Sequence, residues 1–190
     1  GVASAAVCTD CHGSHDLHKP TNPASKLYWQ RIPATCGKCH ENVYKTYQIS
    51  IHGKDMKAGI KDAPVCTDCH GEHTIQSHEE PASTVYPTTI SKTTCPRCHS
   101  AERITSKYGL PIKRLETYME SYHGVASQKG MTTVANCASC HGFHDILPSS
   151  DSRSSIYKDN IKKTCGKCHP EVSFDRGVHE KVTQESGDKK

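Results

Sequence analysis

Cys66-Thr67-Asp68-Cys69-His70-Gly71-Glu72-His73 is one of three near copies of a single phrase; the others are Cys8-Thr9-Asp10-Cys11-His12-Gly13-Ser14-His15 and Cys137-Ala138-Ser139-Cys140-His141-Gly142-Phe143-His144. Each is followed, 28 or 29 residues after it begins, by the same core without the second His: Cys36-Gly37-Lys38-Cys39-His40, Cys95-Pro96-Arg97-Cys98-His99 and Cys165-Gly166-Lys167-Cys168-His169. All 12 Cys are consumed, and none is left over. Residues i, i+3 and i+4 share one face of a helical turn, so two thiols reach the edge of a bound group while the imidazole meets its centre. Cys-x-x-Cys-His is the attachment signature of c-type haem. Six haem c groups are expected, with His12, His40, His70, His99, His141 and His169 as proximal iron ligands.

Two simpler uses of cysteine fit worse. A disulfide framework gives no reason for a His to follow every second Cys. Zinc sites answer one Cys-x-x-Cys with a distant Cys or His pair, whereas here six identical units are each self-contained.

Composition asks for a cofactor as well. Leu, Ile, Val and Phe make up 28 of 190 residues, about 15% against the ~20% below which chains often fail to build a core. The other half of the disorder signature, a high net charge, is missing, because the formal charge is only +4. Porphyrins would supply the apolar interior that the side chains lack. No apolar run approaches the ~18 residues of a membrane span, so no transmembrane segment is expected.

An oxidised haem with two ionised propionates carries one negative charge, and six of them outweigh the chain's +4. The sequence pI of about 8.4 is then no argument for a nucleic-acid partner, and the Lys residues form no readable cluster. Covalent haem attachment follows export, which predicts a periplasmic or extracellular protein. Gly1-Val2-Ala3-Ser4-Ala5-Ala6-Val7 has neither a charged n-region nor an apolar h-region, so a signal peptide is expected to have been removed.

The phrases divide the chain into three di-haem repeats, 8–65, 66–136 and 137–190, of a single hexahaem domain. After each plain motif a helix is predicted that ends in another His: Ser50-Ile51-His52-Gly53, Ser121-Tyr122-His123-Gly124 and the weaker Arg176-Gly177-Val178-His179. Pro111 and Gly124 read as the start and stop of the second such helix, and Pro170 as the start of the third. The stretches 80–87 and 147–155 read as loops.

Eight His lie outside the motifs, and six of them recur at equivalent places: His15, His73 and His144 after the opening motifs, and His52, His123 and His179 after the plain ones. Six is the number that gives every iron a second His. His18 and His78 have no counterpart in the third repeat and are expected to face solvent.

His15 is three residues from His12, a reach of at most ~11 Å, and cannot easily pass round the macrocycle that its own Cys pair anchors. His15, His73 and His144 are therefore expected on the second haem of their own repeats. His52 and His123 each precede the next opening Cys by 14 residues and are expected to cap the haem that opens the following repeat. This register leaves the haem at Cys8 without an upstream His, and His179 without a downstream haem. Either the chain folds back so that His179, His18 or His78 completes that site, or His179 completes it in a neighbouring subunit. The latter is a heterologous contact, which generates rings or open filaments.

The paired phrases, with Ser-x-His-Gly between them, resemble the doubled-motif multihaem c-type cytochromes of metal- and sulfur-reducing bacteria and some archaea, over residues 8 to 179. The resemblance implies little regular secondary structure: short α-helices and loops wrapped around a chain of six haems, with bis-His ligation. Some similar proteins are extracellular and polymerise into conductive filaments. The expected function is respiratory electron transfer, with redox proteins or extracellular acceptors as partners and head-to-tail self-association as an option. Two nitrogen ligands keep the iron six-coordinate in both oxidation states, and the absence of Met at any recurring position argues for low potentials. The competing class is a reductase of nitrite, hydroxylamine or sulfur oxyanions, which needs one open iron. With six spare His for six irons, no catalytic residue is expected.

Overall fold

The computed structural model describes residues 5–111 and 113–170. Among the described residues there are short α-helices, one π-helical turn and no strand, and the longest helix has 9 residues. The expectation of little regular secondary structure holds. The chain divides after Leu147 into two compact units, Gly1–Leu147 and Pro148–Lys190.

The opening motifs are helices in their own right: α1 (Cys8–His12), α5 (Cys66–His70) and α11 (Cys137–His141). Their variable positions fix where the turn begins. Asp10 accepts from the Val7 amide at 2.8 Å and Asp68 from the Val65 amide at 2.7 Å, while Asn136 and Ser139 exchange two bonds of 3.1 Å. These bonds occupy amide groups that a short helix would otherwise leave unpaired. The plain motifs are single helical turns too. Cys36 ends α2 (Ile32–Cys36), and the His40 amide donates to the Cys36 carbonyl at 3.0 Å. The same bond joins His99 to Cys95 at 3.0 Å, beside α7 (Pro96–His99), and His169 to Cys165 at 2.9 Å, following α12 (Ile161–Gly166).

Between the motifs of each repeat runs a loop built on the same polar ties. Ser25, Ser83 and Ser154 are almost fully buried, and each hydroxyl accepts from the amide two residues on, at 3.1, 3.3 and 3.4 Å. Thr35, Thr94 and Thr164 then donate to the carbonyls of Lys26, Thr84 and Ser155. These side chains satisfy backbone groups that apolar packing is too sparse to shield from water. The predicted loops at 80–87 and 147–155 are observed, with a short α6 (Pro87–Thr89) and the π-helical turn Ile90–Thr94 following the first.

Past the plain motifs the helices differ from expectation. The stretch after Pro111 does not run on to Gly124. It is α9 (Lys113–Glu120), a break at Ser121, then α10 (Tyr122–Gln128), just as α3 (Glu41–Ile49) breaks at Ser50 before α4 (Ile51–Lys57). The cause is the Ser hydroxyl. Ser50 donates to the Tyr47 carbonyl at 2.6 Å and accepts from the Gly53 amide at 3.0 Å; Ser121 does the same with Tyr118 and Gly124 at 2.6 and 3.2 Å. Each Ser ends one helix and N-caps the next. A Cβ on Gly53 or Gly124 would sit 2.0 Å from the Tyr47 or Tyr118 carbonyl oxygen, so the elbow closes only on glycine. His52 and His123 thus stand in the first turn of a helix rather than at the end of one.

Apolar packing is sparse. Tyr47, Met56, Ala63 and Val65 form a small cluster with Trp29, Ile32 and Ile60 around it. Tyr47 donates to the Pro64 carbonyl at 2.8 Å, and its equivalent Tyr118 to that of Ala135 at 3.0 Å, which ties each elbow to the next opening motif. Asp62 binds Arg103 at 2.8 Å, Lys107 at 2.7 Å and Tyr108 at 2.8 Å, clamping the linker before Cys66 to α8 (Glu102–Tyr108). In the second unit, Arg153 and Asp151 form a two-pronged pair at 3.0 and 2.7 Å. There Asn160 donates to the carbonyls of Ser152 and Ser154 at 2.9 and 2.8 Å.

Candidate functional site

Three imidazole pairs organise the first unit. His12 faces His73 with ring centroids 6.1 Å apart, His70 faces His144 at 6.0 Å, and His52 faces His99 at 6.2 Å. Each pair joins one motif His to one of the recurring others. The ring planes are 5° and 16° apart in the first two and 52° in the third.

The separation is chemically specific. Face-to-face rings in contact stand ~3.5–4 Å apart. With a metal–imidazole bond of roughly 2.0–2.1 Å and about 1.1 Å from nitrogen to ring centre, two imidazoles on opposite sides of one metal have centroids about 6.2 Å apart. The three observed values lie at that distance or up to 0.2 Å below it. Among the described residues no three His, Cys, Asp or Glu converge as a site for a bare ion. The imidazoles come in twos, as suits an ion whose remaining ligands are supplied by a macrocycle. With a Cys pair one helical turn before one ring of each pair, the donor set fits haem c.

Burial tunes these rings. It lowers the pKa of His70, His99, His141 and His144, and with help from His99 pushes that of His52 down to about 4. Near neutral pH these side chains are uncharged and present the lone pair a metal requires.

The pairing corrects the expected register. His73 faces the opening motif of the first repeat rather than the second motif of its own. His144 likewise faces the opening motif of the second repeat. The cause is Gly13, Gly71 and Gly142, whose φ values of 85°, 80° and 84° turn the chain sharply as it leaves each motif helix. His73 and His144, the rings three residues past the second and third opening motifs, are carried to the neighbouring repeat. His52 faces the plain motif of the next repeat, at His99, instead of the opening one, because the Ser50 elbow redirects α4.

The remaining expected residues fall as follows. Among the described residues no imidazole faces His15, His40 or His141. His18 and His78 are exposed, as expected. His123 is half-buried and His169 exposed. His179 lies outside the described residues. Cys8, Cys39 and Cys168 are exposed and the other nine Cys are half-buried.

Neighbouring sites meet through their thiols. A hydrogen bond shared between Cys36 and Cys66 lowers the first to about 7 and raises the second. One between Cys95 and Cys137 raises Cys95 and lowers Cys137 to about 6. Burial raises the Cys11 thiol with a contribution from Cys36, and raises Cys69 with a contribution from Cys98. The first five motifs therefore follow one another in space in the order in which they follow in the chain. Sequence reasoning missed Ser91, fully buried in the π-helical turn, which accepts from the Cys137 amide at 3.4 Å and lies 3.6 Å from its sulfur. It also missed Arg97, which donates to the Asp68 carbonyl and so ties the fourth motif to the third.

Neither family models, nor curated proteins, nor solved structures provide a match to this chain.

Proposed function

We propose that this protein is an electron carrier built on six covalently bound c-type haems. Cys8 and Cys11, Cys36 and Cys39, Cys66 and Cys69, Cys95 and Cys98, Cys137 and Cys140, and Cys165 and Cys168 would hold the haem edges. The following His of each motif would be one axial ligand. The observation that carries the reading is the recurrence of facing imidazoles at 6.0 to 6.2 Å, each pairing a motif His with a non-motif His.

When bound, haem c supplies a one-electron iron couple whose potential follows its axial ligands and surroundings. The polypeptide fixes those ligands in advance: the Gly turns aim His73 and His144, and the Ser50 elbow aims His52. The facing rings are His in all three pairs, which favours the low-potential end of the range over that of His/Met sites. Thiols that meet at Cys36 and Cys66, and again at Cys95 and Cys137, keep consecutive sites close enough for electrons to pass along the chain. The compartment that goes with haem attachment is the periplasm or the cell exterior. Among the described residues no helix is long and apolar enough to cross a membrane. Partners would be redox proteins or extracellular acceptors rather than nucleic acid.

One observation favours a second reading. His40 and His141 face no imidazole among the described residues, and an iron left open there could exchange a small substrate, as a reductase requires. The test is intact-mass spectrometry of the secreted protein with its ferric spectrum. Six sulfur-bound porphyrins on the 20.9 kDa chain and low-spin iron support the carrier; persistent high-spin iron that binds nitrite or hydroxylamine supports the enzyme. A bare-polypeptide mass ends both.

A further inference from the structure

The second repeat carries one residue more than the others. Ten positions separate the buried Ser from the Thr that closes the loop in the first and third repeats, Ser25 to Thr35 and Ser154 to Thr164, whereas eleven separate Ser83 from Thr94. Counted from the Ser, Ile32, Ile90 and Ile161 are equivalent; counted back from the Thr, so are Pro33, Lys92 and Lys162. Ser91 is the residue without a counterpart. The backbone absorbs it as the π-helical turn. There the Cys95 amide donates to the Ile90 carbonyl, five residues back, at 3.0 Å, while the Thr35 and Thr164 amides donate to carbonyls four residues back, at 2.9 Å each. Single π turns of this kind recur at functional sites.

The extra side chain meets the third repeat. Ser91 is fully buried, its oxygen accepts from the Cys137 amide at 3.4 Å, and it lies 3.6 Å from the Cys137 sulfur. Beside it, Asn136 donates to the carbonyl of Pro87, just ahead of the π-helical turn, at 3.2 Å. The junction between the first and second repeats is made differently. Counted from the capping residues Ser50 and Ser121, the places of Ser127 and Asn136 are taken there by Met56 and Val65, which belong to the apolar cluster. All four are buried. One junction is therefore apolar and the next polar, and the polar one holds the inserted residue.

A hydroxyl has one proton and two lone pairs. The Cys137 amide occupies a lone pair and leaves the proton to be placed. A thiol can itself donate to the Ser91 oxygen, but a sulfur bonded to two carbons has lone pairs only, and the Ser91 proton then has that sulfur within reach. We propose that Ser91 is a positioning residue for the site at Cys137: its oxygen holds the Cys137 amide, and its O–H donates to the thioether sulfur and raises the potential of that haem alone. The donor draws electron density from the edge of the macrocycle and so favours reduced iron, hydrogen bonding around the group being one of the levers on a haem potential. This role rests on the haem reading above, since the sulfur becomes a pure acceptor only as a thioether.

The test uses the full-length holoprotein, with amide hydrogen exchange across the segment that carries Cys137 and a potentiometric titration followed in the haem absorbance. Ser91→Ala is expected to speed exchange of the Cys137 amide and to move the share of one haem in six to lower potential. At a fixed potential, the reduced-to-oxidised ratio of that haem should fall roughly two- to threefold, the effect of one weak hydrogen bond. Ser91→Thr keeps the hydroxyl and is expected to restore the wild-type titration. Deletion of Ser91 returns the second repeat to the spacing of the other two and is expected to titrate like Ser91→Ala. A Ser91→Ala titration that superimposes on wild type overturns the sulfur bond, and so does a shift shared by all six haems. Equal shifts in the Ala and Thr variants, or a shift in the deletion alone, assign the effect to the width of the turn and overturn it as well. A chain that carries no haem ends the carrier reading and the redox role with it, whereas faster exchange in Ser91→Ala still upholds the hold of Ser91 on the Cys137 amide.

Discussion

His73 stands opposite His12 with ring centroids 6.1 Å apart and planes 5° from parallel, although the two belong to different repeats. Among the described residues of the first unit, the ring facing each paired motif His comes from another repeat. The consequences can be checked residue by residue.

His52→Ala removes the ring facing His99 and leaves every Cys pair intact. The holoprotein is expected to keep six haems by mass and to convert one of them per chain to high spin, read by electron paramagnetic resonance. His18→Ala, at an exposed position, is the control and should leave the spectrum unchanged. If His52→Ala leaves all haems low-spin, the pairing of His52 with His99 does not persist in the loaded protein.

Gly53→Ala places a methyl group 2.0 Å from the Tyr47 carbonyl oxygen, and Gly124→Ala does the same at Tyr118. Backbone must move to relieve it, at a cost of about 1–3 kcal/mol. Thermal melting should show both variants below wild type, and Gly53→Ala should also displace the His52 ring from its place opposite His99. Unchanged melting in both would mean that the elbow is looser than its hydrogen bonds imply.

Tyr47→Phe and Tyr118→Phe each delete one hydroxyl bond to a carbonyl just before an opening motif. Each is expected to cost about 0.5–1.5 kcal/mol in denaturant titrations. The similarity of the two losses is the sharper outcome, because it tests whether the two elbows are equivalent.

Asp62 gives a pH signature. Hydrogen bonds from Lys107, Tyr108 and Arg103 hold its carboxyl well below the usual carboxylate range. A carboxylate whose folded pKa is depressed stabilises the fold above its unfolded pKa of about 3.9 and loses that contribution as pH falls further. Asp62→Asn should therefore melt below wild type at pH 7, and the gap should narrow as pH drops below about 4. A gap that stays constant to the acid limit would assign the effect to packing instead.

Haem removal is the broadest test. With eight apolar side chains buried among the described residues, the polypeptide made without haem attachment is expected to lose most of its helical circular dichroism. Retention of the helical signal would show that the polar ties between the motifs suffice on their own.

The six motif turns, the loops between them and the scarcity of regular structure were all legible in the sequence, because each is fixed by residues a few positions apart. Asp10 and Asp68 sit inside the motif that they cap. The recurrence of His52 with His123, and of His15, His73 and His144, was visible in the sequence, and three of these rings, His52, His73 and His144, each face a motif His. Which ring meets which was not legible. Spacing limits reach, but direction depends on the backbone at Gly13, Gly71 and Gly142. Gly124 was misread for a related reason: it marks a helix start when a Ser three residues earlier caps it, and the Ser-x-x-Gly spacing carried that signal. Ser91 and Asp62 act across long sequence separations and left no local trace.

The displaced pairing also bears on how such a molecule could lengthen. A segment that offers rings to its neighbours in the same measure as it takes them from its neighbours can be duplicated in tandem without redesigning any coordination sphere. Growth by whole modules would then leave just the two outermost positions to be resolved, whatever the number of modules between them.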